Sequence, residues 1–341
     1  MSMNWKIYPV SEIDSKWEDW DRLNGLYYNH HPYFDSRFVK PLLNYFGNKA
    51  VKLAMLKDNE GIVNGMVLLT KRLPGLWSLF VPSQLQIAPV LLPFEQISQH
   101  LEKLMDSIPG YCLMLEMLYQ DPLNTPLSDK IGGRYGRYDH CTTTSVKFDT
   151  GFENYWEKRP KKFKQNIRTA FNRLKKDSIQ YDFIIRSSPS DVKTGVRDYG
   201  LLETKSWKGD AGTAIHPDNI QGKFYDDVLS SFAKNGNAAV YELYFNNEPA
   251  GSILTISNDR MLILLKTTFN KNFQDYSPGR LVQYKFIEHE FGRNKYMVME
   301  AYTNANKDQL DWSTQKRNIF HFEIYKNLLI EKIIKIKKGI E

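Results

Sequence analysis

The sequence predicts a mixed α/β (α+β) protein with a mixed sheet, laid out as two related units. Two observations carry this. Each half contains a pair of apolar, strand-length runs joined by a turn with an acidic residue and Gly or Pro: 51–57 and 65–71 around Asp58-Asn59-Glu60-Gly61, then 238–245 and 250–257 around Asn246-Asn247-Glu248-Pro249. Each half also carries amphipathic segments of helical length. With 341 residues, 42% of them hydrophobic, there is room for two ordinary domains and their cores. We place them at 1–149 and 150–341.

In the first unit the hairpin is followed by an expected helix at 97–108, a strand at 111–118, a turn-rich stretch over 121–138 and a strand at 142–146. The second unit repeats the pattern more fully. Helical segments at 151–176, 190–205 and 222–234 precede the hairpin, a third strand starts at Met261, and a fourth covers 296–301. The basic amphipathic run 328–338 reads as a terminal packing helix.

Composition excludes several classes. The aromatic content of 13% rules out a disordered chain, and no apolar run approaches the roughly 18 residues of a membrane span. Cys112 and Cys141 are too few for a disulfide framework, and the seven histidines show no metal-ligand spacing, so no metal is implied. No signal-peptide core is seen near the N-terminus, and a cytoplasmic location is expected. The charge balance, 46 − 39 = +7, suits a polyanionic partner.

The segment Tyr276-Ser277-Pro278-Gly279-Arg280-Leu281 reads as a strand-to-helix junction built to hold an anion. The strand begins near Met261, and Leu281, Tyr284, Ile287 and Phe291 recur at helical spacing, with Gly292 as the expected stop. Ser277 suits the N-cap and Pro278 the first helical position. Gly279 would let a ligand approach the backbone, and the free first-turn amides favour phosphate. Arg280, a cation in the first turn, is consistent with a neighbouring anion.

These motifs, in this order, resemble the GNAT acyltransferase superfamily, and the second half resembles the CelD-type acetyltransferase domain, related to Fem-type peptidyltransferases. The residues are Glu203-Thr204-Lys205-Ser206-Trp207-Lys208-Gly209 with Gly212-Thr213-Ala214, then Ala250-Gly251 in the hairpin, then Tyr276-Ser277-Pro278-Gly279. The likeness covers roughly residues 150–325 and implies tandem GNAT-like domains, the first degenerate. It departs from the family at Gln309, where a Lys is usual ahead of Trp312.

The resemblance implies acyl-CoA as co-substrate, with direct attack by an amine on the thioester. The diphosphate would lie on Ser277, Gly279, Arg280 and Leu281, and the carbonyl near a strand amide at Thr267 or Thr268. An amine must lose a proton before attack. Glu203, on a helical face with Val192, Val196 and Tyr199, is the first choice of base, with Asp311 as second. Tyr276 or Tyr302 would protonate the leaving thiolate. Trp207, Lys208 and Trp312 would line the acceptor site. Lys158, Arg159, Lys161, Lys162 and Lys164, continuing through Arg168, Arg173, Lys175 and Lys176, form a basic helix that suits tRNA, because Fem-type enzymes take their donor from aminoacyl-tRNA. A fold that has lost activity and serves only binding is the remaining alternative.

Overall fold

A computed structural model describes residues 3–95, 97–124, 135–206 and 214–338. Its strands, in chain order, are β1 (Asn4–Pro9), β2 (Lys52–Lys57), β3 (Val63–Leu73), β4 (Leu76–Leu79), β5 (Met114–Gln120), β6 (Tyr135–Lys147), β7 (Tyr181–Arg186), β8 (Ala238–Phe245), β9 (Glu248–Ser257), β10 (Met261–Phe269), β11 (Val298–Glu300) and β12 (Gln315–Tyr325). The chain divides into two compact units, Met1–Thr143 with Arg317–Glu341, and Thr144–Lys316. The expected boundary at 149/150 left the last segment in the second unit. Residues from 317 onward group with the first because β12 pairs antiparallel with β5, Ile324 opposite Leu115.

In the first unit the strands run β1-β2-β3-β4-β5-β12, antiparallel except for the parallel pair β4 and β5. Helix Ile97–Ser107 buries Leu101 and Leu104 with Trp5, Leu56, Val67, Leu115 and Ile324 in one core. Helix Ser36–Phe46 starts where the Asp35 side chain accepts the Arg37 amide, an ordinary N-cap.

In the second unit the order is β6-β11-β10-β9-β8-β7, with β10 and β11 parallel and the other pairs described antiparallel. The β8–β9 hairpin turns through Asn246 and Asn247, at φ 47° and 67°, the left-handed pair that a two-residue hairpin turn requires and that Asn tolerates. Side chains alternate across the sheet. Tyr241, Leu243 and Ile253 meet Phe163, Ile167 and Leu174 of helix Lys161–Lys176, and Leu281, Phe286 and Ile287 of helix Pro278–Arg293, in one core. Val240 faces the other way, toward helix Pro189–Thr204, where a Cβ on Gly195 would come within 2.9 Å of it. Helix Ile220–Ala233 packs on that same side.

The helical segment expected over 151–176 is two helices, Phe152–Glu157 and Lys161–Lys176, because Pro160 cannot continue the first. Helix Pro278–Arg293 runs through Gly292 and stops at Asn294, which takes the left-handed C-cap (φ 49°) expected of glycine.

Candidate active site

The second unit's sheet opens at one place. β10 and β11 pair in parallel from Met261–Val298 to Ile263–Glu300, and there the pairing ends. β10 continues to Phe269, held on its other side by β9 as far as Gly251, with a register shift between Leu264 and Lys266. β11 stops at Glu300. Ala301 follows with its amide donated to Thr144, and then comes Tyr302 with a left-handed backbone (φ 49°). The two strands therefore part, and among the described residues no strand pairs with β10 on that side from Leu264 onward. Thr267 is exposed on this stretch, while Thr268 is buried and paired with Ser252 across the ladder. Glu300, only 3% exposed, sits opposite Ile263 at the apex.

Beyond β10 a 3₁₀ turn, Lys271–Tyr276, leads into helix Pro278–Arg293. This junction differs from the expected cradle. Ser277 is left-handed (φ 53°, ψ 50°) and its side chain makes no cap bond. Such a backbone costs an L-residue roughly 1–2 kcal/mol. Its amide donates to Gln274, and its carbonyl accepts from the Arg280 and Leu281 amides at 3.0 and 3.1 Å. Of the four amides assigned to phosphate, Gly279's is the one without an acceptor among the described residues. Gly279 also suits a close packing contact: a Cβ there would lie 3.1 Å from the Phe269 ring. Leu281 is fully buried in the core. The anion beside Arg280 is Asp308, whose Oδ1 lies 2.6 Å from Nε.

Glu203 is buried, as its helical face implied, and both its oxygens are engaged. Oε1 accepts the Tyr199 hydroxyl at 2.9 Å and Oε2 the Ile215 amide at 2.7 Å. Burial first, and the carboxylate second, push the Tyr199 phenol well above its ordinary range. The hydroxyl of Tyr276 donates to Asp177 at 3.0 Å, and that bond raises its pKa. Tyr302, 1% exposed, lies two residues past the splay apex. Trp207 and Lys208 lie outside the described residues.

Gln309, the departure from the family pattern, lies in the short helix Lys307–Trp312. Its N-cap Asn306 accepts the Gln309 amide, and Gln309 Oε1 accepts the Asn306 amide, a complete capping box. Gln309 Nε2 also donates to Thr303 at 2.8 Å, fixing the chain beyond β11. Asp311 is half-buried on this helix. Trp312 belongs to the core, edge-on to Phe163 with centroids 4.6 Å apart, and its carbonyl accepts the Tyr155 hydroxyl at 2.6 Å.

On helix Lys161–Lys176 the stripe Phe163, Ile167 and Leu174 is buried and Phe171 half-buried. Lys161, Lys162, Arg168, Arg173, Lys175 and Lys176 are exposed. Arg173 donates to the Asp275 carbonyl. Sequence reasoning gave Glu300 no role. Its only signal is its place in the last strand pair before the splay, which a periodicity cannot supply. Among the described residues no cluster of three or more His, Cys, Asp or Glu could hold a metal, and no helix is long and apolar enough to cross a membrane.

Residues 161–303 match a family model described as an acetyltransferase (GNAT) domain. Comparison with curated protein sequences gave no significant match. Solved structures share the fold. FemX has a TM-score of 0.61 at 10% identity, covering 96% of this chain and 99% of its own. The C-terminal domain of a putative lysylphosphatidylglycerol synthetase from Agrobacterium fabrum has a TM-score of 0.54 at 8% identity, covering 89% and 94%. A tandem GNAT protein from the clavulanic acid biosynthesis pathway has a TM-score of 0.50 at 10% identity, covering 95% and 99%. The chain is thus a mixed α/β protein of the GNAT fold. It carries a GNAT-type acyltransferase domain over the matched segment.

Proposed function

We propose that this is an acyltransferase that binds acyl-CoA at the β10–β11 splay and passes the acyl group directly to an amine, as CelD-type enzymes are expected to do. The observation that carries this reading is that the β10–β11 pairing ends at Ile263–Glu300 while β10 runs on to Phe269, ahead of helix Pro278–Arg293. A carbonyl laid beyond that last pair would lie against the β10 backbone, where a strand amide aimed at it would stabilise a developing oxyanion. The diphosphate would be held by the Gly279 amide and the Arg280 guanidinium, with Asp308 displaced. An exposed ion pair of this kind is worth about 0–1 kcal/mol, so displacement is cheap.

Glu300, at the apex, is assigned the base role and Tyr302 that of acid toward the leaving thiolate. The proton leaves the amine for the carboxylate, the amine nitrogen forms the new bond to the acyl carbon, and the carbon–sulfur bond breaks. Glu203 reads as an anchor for the segment entering at Ile215, and Asp311 as the remaining carboxylate alternative. Side-by-side pH–rate profiles of Glu300→Gln and Glu203→Gln separate these roles. Loss of about 10²–10⁴-fold in turnover in the first alone supports the assignment. Titration calorimetry with acetyl-CoA tests the donor, and absence of binding would remove the coenzyme reading.

A second reading, in which aminoacyl-tRNA is the donor, is favoured by the exposed cationic face of helix Lys161–Lys176. It predicts tRNA binding with little affinity for acyl-CoA.

A further inference from the structure

Helix Leu328–Lys338 presents to solvent the side that an amphipathic helix ordinarily buries. Leu328, Leu329, Ile333 and Ile336 are 57%, 66%, 42% and 77% exposed, whereas Ile330 and Ile334 on the opposite side are half-buried. At about 100° per residue these four apolar residues fall within an arc of roughly 140°. Lys332 lies inside that arc and Lys337 at one edge, both exposed, and the half-buried Lys335 lies at the other edge, so the outward face combines apolar bulk with two exposed cations. The one acidic residue of the helix, Glu331, falls outside the arc and pairs with Lys335 at 2.8 Å.

We propose that this face docks on an anionic phospholipid surface, with the helix lying in the plane of the headgroups. A helix of this length spans about 16 Å, too short to cross a bilayer and long enough to seat four apolar side chains at its boundary. Lysine stems run along apolar surface while their ammonium groups reach the phosphates, which suits lysines set between leucine and isoleucine. The charge pattern selects lipid over a second copy of this chain, because a two-fold contact through this face would oppose its own lysines. The net charge of +7 acts in the same direction.

Flotation of the full chain with phosphatidylglycerol vesicles and with phosphatidylcholine vesicles tests this. Binding is expected on the first, weakened at about 0.5 M salt, and little is expected on the second. The paired variants Leu329→Ser with Ile336→Ser, and Lys332→Gln with Lys337→Gln, alter exposed positions and should keep the wild-type melting temperature. Each is expected to weaken binding about tenfold or more. Lys161→Gln with Lys162→Gln and Arg168→Gln serves as the control and should bind within about twofold of wild type. Three results would overturn the proposal: no preference for the anionic vesicles, loss of binding in the control variant alone, or a dimer in light scattering that the Leu329→Ser, Ile336→Ser variant converts to monomer.

Discussion

Asp308 closes on Arg280 across the first turn of helix Pro278–Arg293, Oδ1 to Nε at 2.6 Å, with both side chains more than a third exposed. A cation in that turn opposes the helix dipole, and here a carboxylate from the short helix Lys307–Trp312 answers it. Under the acyl-CoA reading this carboxylate competes with the diphosphate for one guanidinium. Asp308→Asn should then tighten coenzyme A binding severalfold, and Arg280→Gln should weaken it about tenfold or more. Both should melt within a few degrees of wild type, because an exposed pair adds at most about 1 kcal/mol. Calorimetry that finds equal affinity in all three proteins removes Arg280 from the site.

Glu203 holds two buried donors, so its deletion should cost stability whatever its part in chemistry. Glu203→Ala leaves the Tyr199 hydroxyl and the Ile215 amide without their acceptor, at about 1–3 kcal/mol for each group. Urea unfolding should show a midpoint clearly below that of wild type. An unchanged midpoint would mean that Tyr199 and Ile215 find other partners and that the anchoring role is mistaken.

Two glycines should separate in their tolerance of alanine. A Cβ on Gly222 would sit 1.9 Å from the His216 carbonyl oxygen, and backbone there cannot move without dismantling the turn that precedes helix Ile220–Ala233. A Cβ on Gly279 meets the Phe269 ring at 3.1 Å, and a ring edge can shift by a few tenths of an ångström. Gly222→Ala should destabilise by about 2 kcal/mol or more, and Gly279→Ala by less than about 1 kcal/mol. The reverse order in thermal melts would contradict this packing.

The contrast between Ser277 and Glu300 shows what the sequence made legible. Periodicity and turn residues located the hairpins, helix Pro278–Arg293 and the strand that feeds it, because those signals are local. The amides of Ser277 and Arg280 bond within the chain because Ser277 adopts a left-handed backbone, and a Ser-Pro-Gly string does not encode that choice. Glu300 was passed over because its significance lies in a pairing that stops, a relation between segments distant in the chain. The first unit's β12 is hidden for a related reason: its partner β5 lies far upstream, with Ile324 opposite Leu115, so no turn signal announces it. Gln309, where the family lysine is expected, closes a capping box with Asn306, a local role that only the structure displays.

The first unit should lose stability at acid pH. His140 and His321 lie with ring centroids 4.5 Å apart, and His321 Nδ1 accepts the Tyr119 amide, which requires an unprotonated nitrogen. Burial first, then His140, lowers His321 to about 4, with Glu323 acting in the opposite direction. Burial and then Arg317 lower His31 to about 3, and burial lowers His140. All three folded values lie below the ordinary 6.5, so the unfolded chain binds more protons between the two limits. This contribution is complete above about pH 6.5 and is lost as pH falls toward 4 and then 3. Denaturant titrations at pH 7 and pH 5 should differ accordingly, and His321→Gln should flatten the difference. A pH-independent midpoint over that range would show that these imidazoles are not held neutral by the fold.

The aminoacyl-tRNA reading stands or falls on the cationic face of helix Lys161–Lys176. Lys161 and Lys162 stand in the first turn, which has no acidic residue to balance them, and the dipole there disfavours cations. An RNA backbone laid along this face would turn that unfavourable local field into binding energy by releasing condensed counterions. Affinity for tRNA should then fall linearly with salt on logarithmic axes, with a slope of about 0.7–0.9 per phosphate neutralised. Replacing Lys161, Lys162 and Arg168 by Gln should reduce that slope by about two to three. The apolar stripe on the opposite side keeps the helix docked in the variant, so its melting temperature should not change. Equal slopes for the two proteins would place any bound RNA elsewhere, and a salt-insensitive affinity would leave acyl-CoA as the donor to pursue.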